Sequence, residues 1–193
     1  SFAWNGTTYG QSGTYSYNSI GFLGNITGFT YGGYHNGSNY YISDNAETWV
    51  NAQQICINNG GYLATISDYQ ENIKIANFVD SISFSSIPQV HIGLSQNVNS
   101  ANYSEPSNGW FWEDNLPLIY SNWDQTGNNL APDNANGGED YAWMYTGNWS
   151  FSTWNDINLN YTANYVMEIS SQLTNANGCD STAVLNLTIN NST

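Results

Sequence analysis

Val90, Ile92 and Leu94 alternate with His91, Gly93 and Ser95, the period-two pattern of a strand with one face in a core. The period returns near the end of the chain, where Ala183, Leu185, Leu187 and Ile189 alternate with Val184, Asn186 and Thr188. Shorter runs over 39–43, 141–145 and 165–169 also read as strands. Two segments change period. Ala46, Trp49, Val50, Gln53 and Cys56 keep a helical spacing, with Asp44-x-x-Glu47 as a capping box before them and Gly60-Gly61 as the stop after them. Asp68-x-x-Glu71 opens a second helix, which carries Tyr69, Ile73, Ala76 and Val79 on one face and ends near Ser81. At the front, Asn5-Gly6 is a turn signal, and two short strands are expected over 1–18. A further strand is expected near Phe29 to Tyr31. Residues 97–154 read mostly as loop, with Trp110, Trp112, Trp123, Trp143, Trp149 and Trp154 as its core. A loop of that length inside a compact domain is usually functional.

Charge narrows what such a fold can do. The 193 residues hold fifteen acids and a single base, Lys74, for a net charge of −14. A nucleic-acid partner is excluded, because nothing would neutralise the phosphates. No apolar run approaches the roughly 20 residues of a membrane helix, so membrane insertion is not expected. Aromatic residues make up 16% of the chain, which separates it from disordered acidic sequences. With 8% charged residues, the surface must be built from Asn, Ser, Thr and Gly. That composition fits a β-rich protein that is secreted, extracellular or on the cell surface. The first residues have neither the basic nor the apolar region of a signal peptide, so the chain reads as a mature product or a segment of something longer. Cys56 and Cys179 do not make a disulfide framework, and their spacing leaves a bridge between them open.

The acids concentrate between Pro132 and Asp156, where Asp133, Glu139, Asp140, Asn155 and Asp156 fall together. Clustered carboxylates repel one another unless a positive charge sits among them. This chain has almost no side chain to supply it, which points to a bound cation. An oxygen-only donor set suits a hard ion such as Ca²⁺, which takes about 6–8 oxygens. For Asp140 and Asn134, solvated loop is the expectation. No Ser-His-Asp spacing, His-rich metal site or phosphate loop is present, so the chain is not expected to be an enzyme. His91 reads as a packed core histidine, His35 as a surface residue and Cys56 as a buried, inert thiol.

Several ordered motifs between about Tyr34 and Ser170 resemble a C-type lectin-like domain. They are AETWVNAQQICINNGGYLATI, SDYQENIKIANFV, HIGL, GWFWEDNLPLIYSNW, GGEDYAWM, WND and the closing YVME. The resemblance implies an α+β fold with two helices, antiparallel sheets and a long loop region. It also implies Ca²⁺ held by Asp133, Glu139, Asn155 and Asp156, a cis Ala131–Pro132 bond, and a glycan or cell-surface ligand at the same side chains. Trp149 or Tyr145 would offer a ring to a sugar face. One position departs from the pattern: Ala131 stands where many sugar binders carry Glu or Gln. This removes one side-chain ligand and the residue pair by which mannose-type and galactose-type sites differ. Tyr141 and Met167 stand where the family has partner cysteines.

The two ends resemble halves of one short repeat found in secreted surface proteins of Bacteroidetes-type bacteria: SFAWNGTTYGQSGTYSYN and LTNANGCDSTAVLNLTINNST. The implied organisation is a small all-β, immunoglobulin-like module from residues 1–18 and 171–193, a connector at 19–33, and a lectin-like domain at 34–170. The resulting expectation is a Ca²⁺-dependent recognition module on a bacterial adhesin, with neighbouring repeats or copies of the same chain as further partners. The alternative is a structural subunit of an extracellular fibre or sheath, with the lectin-like domain as decoration.

Overall fold

The alternation at 90–94 becomes a strand buried on both faces, not one, because it runs through the middle of a sheet. A computed structural model describes residues 2–4, 7–9, 13–17, 24–83, 87–113, 116, 118–126, 130–135, 137–147, 150–170, 173–174, 180–181 and 183–187. In chain order the elements begin with β1 (Phe2–Trp4), β2 (Thr7–Tyr9), β3 (Gly13–Tyr17), β4 (Phe29–His35), β5 (Ser38–Ser43) and β6 (Glu47–Thr48). Then come α1 (Trp49–Asn58), β7 (Tyr62–Leu63), α2 (Tyr69–Ser83), β8 (Gln89–Gln96) and β9 (Trp110–Trp112). The chain closes with β10 (Tyr141–Tyr145), β11 (Trp154–Ile157), β12 (Thr162–Ser170), β13 (Leu173–Thr174), β14 (Asp180–Ser181) and β15 (Ala183–Leu187). No helix among the described residues is long and apolar enough to cross a membrane.

Two units result: Ser1–Gly21 with Ser171–Thr193, and Phe22–Ser170. In the first, β1 pairs β2, β13 pairs β14, and β15 pairs β3 antiparallel with Ala183 opposite Tyr17. In the second, a nine-stranded sheet runs β11-β10-β8-β12-β5-β4, with β6 and β7 on β12 and β9 on β8. β8 lies antiparallel to β10 and parallel to β12, so Val90 to Gln96 are all buried.

Each face of this sheet carries a core. Alternate residues of β5 and β12 divide between them. Tyr40, Ile42 and Val166 join Ile75, Val79, Ile92, Trp112 and Trp154 on the α2 side. Tyr41, Tyr165 and Met167 join Trp49, Ala52 and Cys56 on the α1 side. Cys56 and Met167 therefore fill one apolar cluster. The Cys56 thiol is free, buried and pushed up to about 12 by that burial, as an inert thiol should be. Cys179 lies outside the described residues. Gly93 is fixed by packing: a Cβ there would stand 2.3 Å from the Leu63 carbonyl oxygen.

The second helix starts as its capping box predicts, with the Glu71 N–H donating to Asp68 Oδ1 at 2.9 Å. The return arm lands one residue early, because Glu71 Oε2 accepts from the Ser67 N–H and hydroxyl, both at 2.7 Å. The first helix does not start at its predicted cap. Glu47 and Thr48 are drawn into pairing with Ala163 and Thr162, and the helix opens only at Trp49. Asp44 instead accepts from the Thr30 hydroxyl at 2.9 Å. The segment read as loop also holds a strand of its own, β9, whose Trp112 pairs with Leu94.

Candidate metal and ligand pocket

The antiparallel pair of β10 and β11 builds the base of the acidic site. Its register sets Ala142 opposite Asp156 and Trp143 opposite Asn155. Trp154 anchors β11 from beneath: it is fully buried and its indole N–H donates to Asn72 Oδ1 at 2.8 Å. Asn72 in turn donates to the Ser152 carbonyl at 2.9 Å, which ties α2 to the segment entering β11. Rings of Trp112, Tyr120 and Trp123 lie edge-on to Trp154 with centroids 5.6–5.8 Å away. The tryptophan-rich segment thus supplies the rigid floor for the loop above it.

That loop, 131–139, is held mainly by backbone donors. The Ala131–Pro132 bond is cis, as the resemblance implied. Ala131 is 2% exposed, and its N–H donates to the Asp124 carbonyl at 2.9 Å. The Asp156 carboxylate accepts the Asn134 N–H at 2.7 Å and the Asp133 N–H at 3.0 Å. Glu139 Oε2 accepts the Ala135 N–H at 2.8 Å, and the Glu139 N–H donates to Asn134 Oδ1 at 3.1 Å. Asn134, expected as solvated loop, is therefore a fixed strut of the turn, and its φ of +46° is the left-handed conformation that Asn tolerates.

These bonds aim Asp133, Glu139 and Asp156 at one point, with one carboxylate oxygen from each lying within 4.8 Å of the others. Asn155 lines the same open pocket of about 170 Å³, together with Ala135, Trp143, Ile157 and Tyr161. Burial pushes the Asp156 carboxyl upward, the N–H groups of Asn134 and Asp133 pull it back, and the Glu139 charge pushes it up again. Oxygens bound at about 2.3–2.6 Å to one ion stand no more than about 5 Å apart, so the three carboxylates fit a shared hard cation. Ala131 adds no side-chain oxygen. The side-chain carboxylate and amide oxygens that line the pocket thus come from three acids and Asn155.

The other residues singled out in the sequence fall elsewhere. Trp149 lies outside the described residues. Tyr145 lines a different cavity, with Pro88, Gln89, Gly147 and Ser150. Asp140 is not simply solvated: it is half-buried, one of its oxygens is buried without a hydrogen bond, and burial and then Glu105 raise its carboxyl. His91 is buried as expected, with Nε2 3.0 Å from the Glu47 carbonyl oxygen and its basicity lowered by burial to about 4. His35 is half-buried on β4. Four pocket residues were not nominated, Ala135 among them. Trp143 was read as core, although its period-two phase with Tyr141 and Tyr145 sets it off the buried face of Ala142 and Met144. Ile157 follows the WND motif directly. Tyr161 carries no local signal, because only the turn after β11 brings it back.

The family model described as "Lectin C-type domain" matches residues 45–168. C-type mannose receptor 2 of Homo sapiens is 31% identical over 88 residues, covering 42% of this chain and 6% of the receptor. Type-2 ice-structuring protein of Brachyopsis segaliensis is 31% identical over 84 residues, covering 44% of this chain and 42% of that protein. The chain thus spans only part of the length of these relatives. Among solved structures, the C-type lectin CEL-I of Cucumaria echinata aligns with a TM-score of 0.59 at 22% identity, over 74% of this chain and 95% of that one.

Proposed function

Because the chain belongs to the C-type lectin domain family, we propose that its acidic pocket binds Ca²⁺ and, through it, neighbouring hydroxyls of a glycan. The family is a binding fold and not an enzymatic one. The observation that carries the reading is the convergence of Asp133, Glu139 and Asp156 on one open pocket. These three and Asn155 would hold the ion, whose contribution is positive charge and open coordination positions for two hydroxyl oxygens. The protein's part is to hold the oxygens ready. Asp156 is buried and fixes the 133–134 backbone, Glu139 fixes Ala135, and both keep carboxylate edges toward the pocket. A glycan array read with and without EDTA tests this. Chelator-sensitive binding is expected, and binding that survives EDTA, or no binding, overturns it.

The same reading sets the module on an extracellular bacterial adhesin. Supporting it, the two chain ends come together in one unit, where β3 and β15 pair across more than 160 intervening residues. That pairing suits an immunoglobulin-like repeat with the lectin domain inserted into it, and repeats in tandem would multiply weak contacts. It equally favours a second reading, a structural subunit of a fibre. Size-exclusion chromatography and negative-stain microscopy separate the two: concentration-dependent filaments support the fibre, and a monomer at every concentration removes it.

A further inference from the structure

A second cavity shares no lining residue with the acidic pocket. It lies where the link between β7 and α2 meets the segment after β9, and it measures about 230 Å³. Ile66 and Trp112 form its floor and are fully buried. Leu116 and Ile119 form its rim, 53% and 78% exposed. The two other lining residues, Thr65 and Ser67, add little polarity, because their hydroxyls are already engaged. Thr65 Oγ1 donates to Glu168 at 3.2 Å and Ser67 Oγ donates to Glu71 at 2.7 Å. The cavity therefore presents hydrocarbon on nearly every side.

Size and charge narrow what can fill it. A dry apolar cavity of about 150 Å³ holds benzene, so this one has room for a single ring on a short tether. Asp68 follows Ser67 directly and is exposed. Its Oδ1 accepts the Glu71 N–H at 2.9 Å, which holds the carboxylate in place at the start of α2. Asp68 also stands close to the rim: after burial, Tyr69 and Asp68 are what raise the Tyr120 hydroxyl, one residue beyond Ile119. With fifteen acids and one base in the chain, an anionic occupant is repelled and a cationic one attracted. We infer that this cavity binds a small arylalkylammonium ion, with the aryl ring on Ile66, Trp112, Leu116 and Ile119 and the ammonium beside Asp68. The ring covers apolar surface that water otherwise meets. The ammonium stays at the mouth, paired on one side and hydrated on the other, so its charge is never buried.

The test titrates the full chain at low salt with three probes that share a phenyl ring and differ in charge: 2-phenylethylammonium, 2-phenylethanol and phenylacetate. Affinity should fall in that order, with the amine roughly 3- to 5-fold ahead of the alcohol and the gap closing as salt rises. Amine binding should be the same in EDTA and in saturating Ca²⁺. Asp68→Asn keeps a capping oxygen for the Glu71 N–H, so its melt should hold while the amine drops to the level of the alcohol. Ile119→Ser changes a side chain that is already mostly in water. It should melt like the parent and weaken the amine and the alcohol roughly 5- to 10-fold. Amine binding that Ca²⁺ displaces belongs to the acidic pocket and overturns the inference. So does amine binding that survives Ile119→Ser, equal affinity for all three probes, or a wild type that binds none of them.

Discussion

Two groups of carboxylates in this molecule meet the lack of basic side chains in opposite ways. Glu168 and Glu71 lie 5% and 8% exposed where β5, β12 and α2 meet. Hydroxyl groups answer them. Glu168 accepts from the Ser38 hydroxyl at 2.6 Å and from the Thr65 hydroxyl and N–H at 3.2 and 3.1 Å. Glu71 accepts from the Tyr40 hydroxyl at 2.5 Å and from Ser67. Asp133, Glu139 and Asp156 instead take backbone N–H groups of their own loop and converge on open space. A scarcity of Lys and Arg therefore does not by itself call for a metal, because the core handles its acids with Ser, Thr and Tyr. What marks the loop is convergence on a cavity that a ligand can enter.

The largest effect should come from breaking the hydroxyl-held group. Glu168→Ala leaves the hydroxyls of Ser38 and Thr65 and the Thr65 N–H without their acceptor in the core. A loss of about 3–5 kcal/mol is expected in urea unfolding, with or without EDTA. Glu139→Gln keeps an amide oxygen for the Ala135 N–H and should cost no more than about 1 kcal/mol in EDTA. Equal losses for the two variants would erase the distinction between structural and ligand-facing acids.

The next effect belongs to the open group. At a Ca²⁺ concentration about 100 times Kd, binding to the folded state should add about 2.7 kcal/mol. For a domain of this size that is a melting rise of roughly 5–10 °C. Glu139→Gln should lose the rise and Glu168→Ala should keep it. A melt of wild type that is the same in EDTA and in Ca²⁺ would refute the metal.

How legible each group was follows from the range of the interactions that build it. Asp133, Glu139, Asn155 and Asp156 could be picked out because the Pro-Asp, Gly-Glu-Asp and Trp-Asn-Asp motifs are local in sequence. The fold converts those spacings into one site through a single strand pair, β10 with β11. Tyr161 was hidden, since its return depends on a turn whose residues carry no distinctive pattern. The start of α1 was misread for a related reason: a local capping signal at Asp44 lost to sheet pairing with residues more than a hundred positions away. The Glu168–Glu71 group was invisible as a unit. Each acid is an ordinary residue of a strand or helix, and only the sheet brings Ser38, Thr65 and Tyr40 to them.

The smallest effect tests the core group by pH. Burial raises Glu168 from 4.5 to about 7, with the Glu71 charge adding to the rise. Burial lowers His91 from 6.5 to about 4. Between 4.5 and 7 the folded chain keeps a proton on Glu168 that the unfolded chain has released. That contribution is full below pH 4.5 and is lost as pH rises through 7. Between 6.5 and 4 the unfolded chain takes a proton on His91 that the folded one refuses. This contribution is full above pH 6.5 and is lost as pH falls through 4. The two slopes have opposite signs, neither exceeds about 1.4 kcal/mol per pH unit, and they overlap between pH 4.5 and 6.5. Asp156, also raised by burial, adds to the Glu168 slope, so each group is read from the difference between variant and parent. In EDTA, His91→Gln should make stability fall more steeply with rising pH across that window, and Glu168→Gln should make it fall more steeply with acid. Urea midpoints that shift in parallel for both variants would mean that the two buried groups are not opposed, and that the hydroxyl shell around Glu168 keeps it ionised throughout.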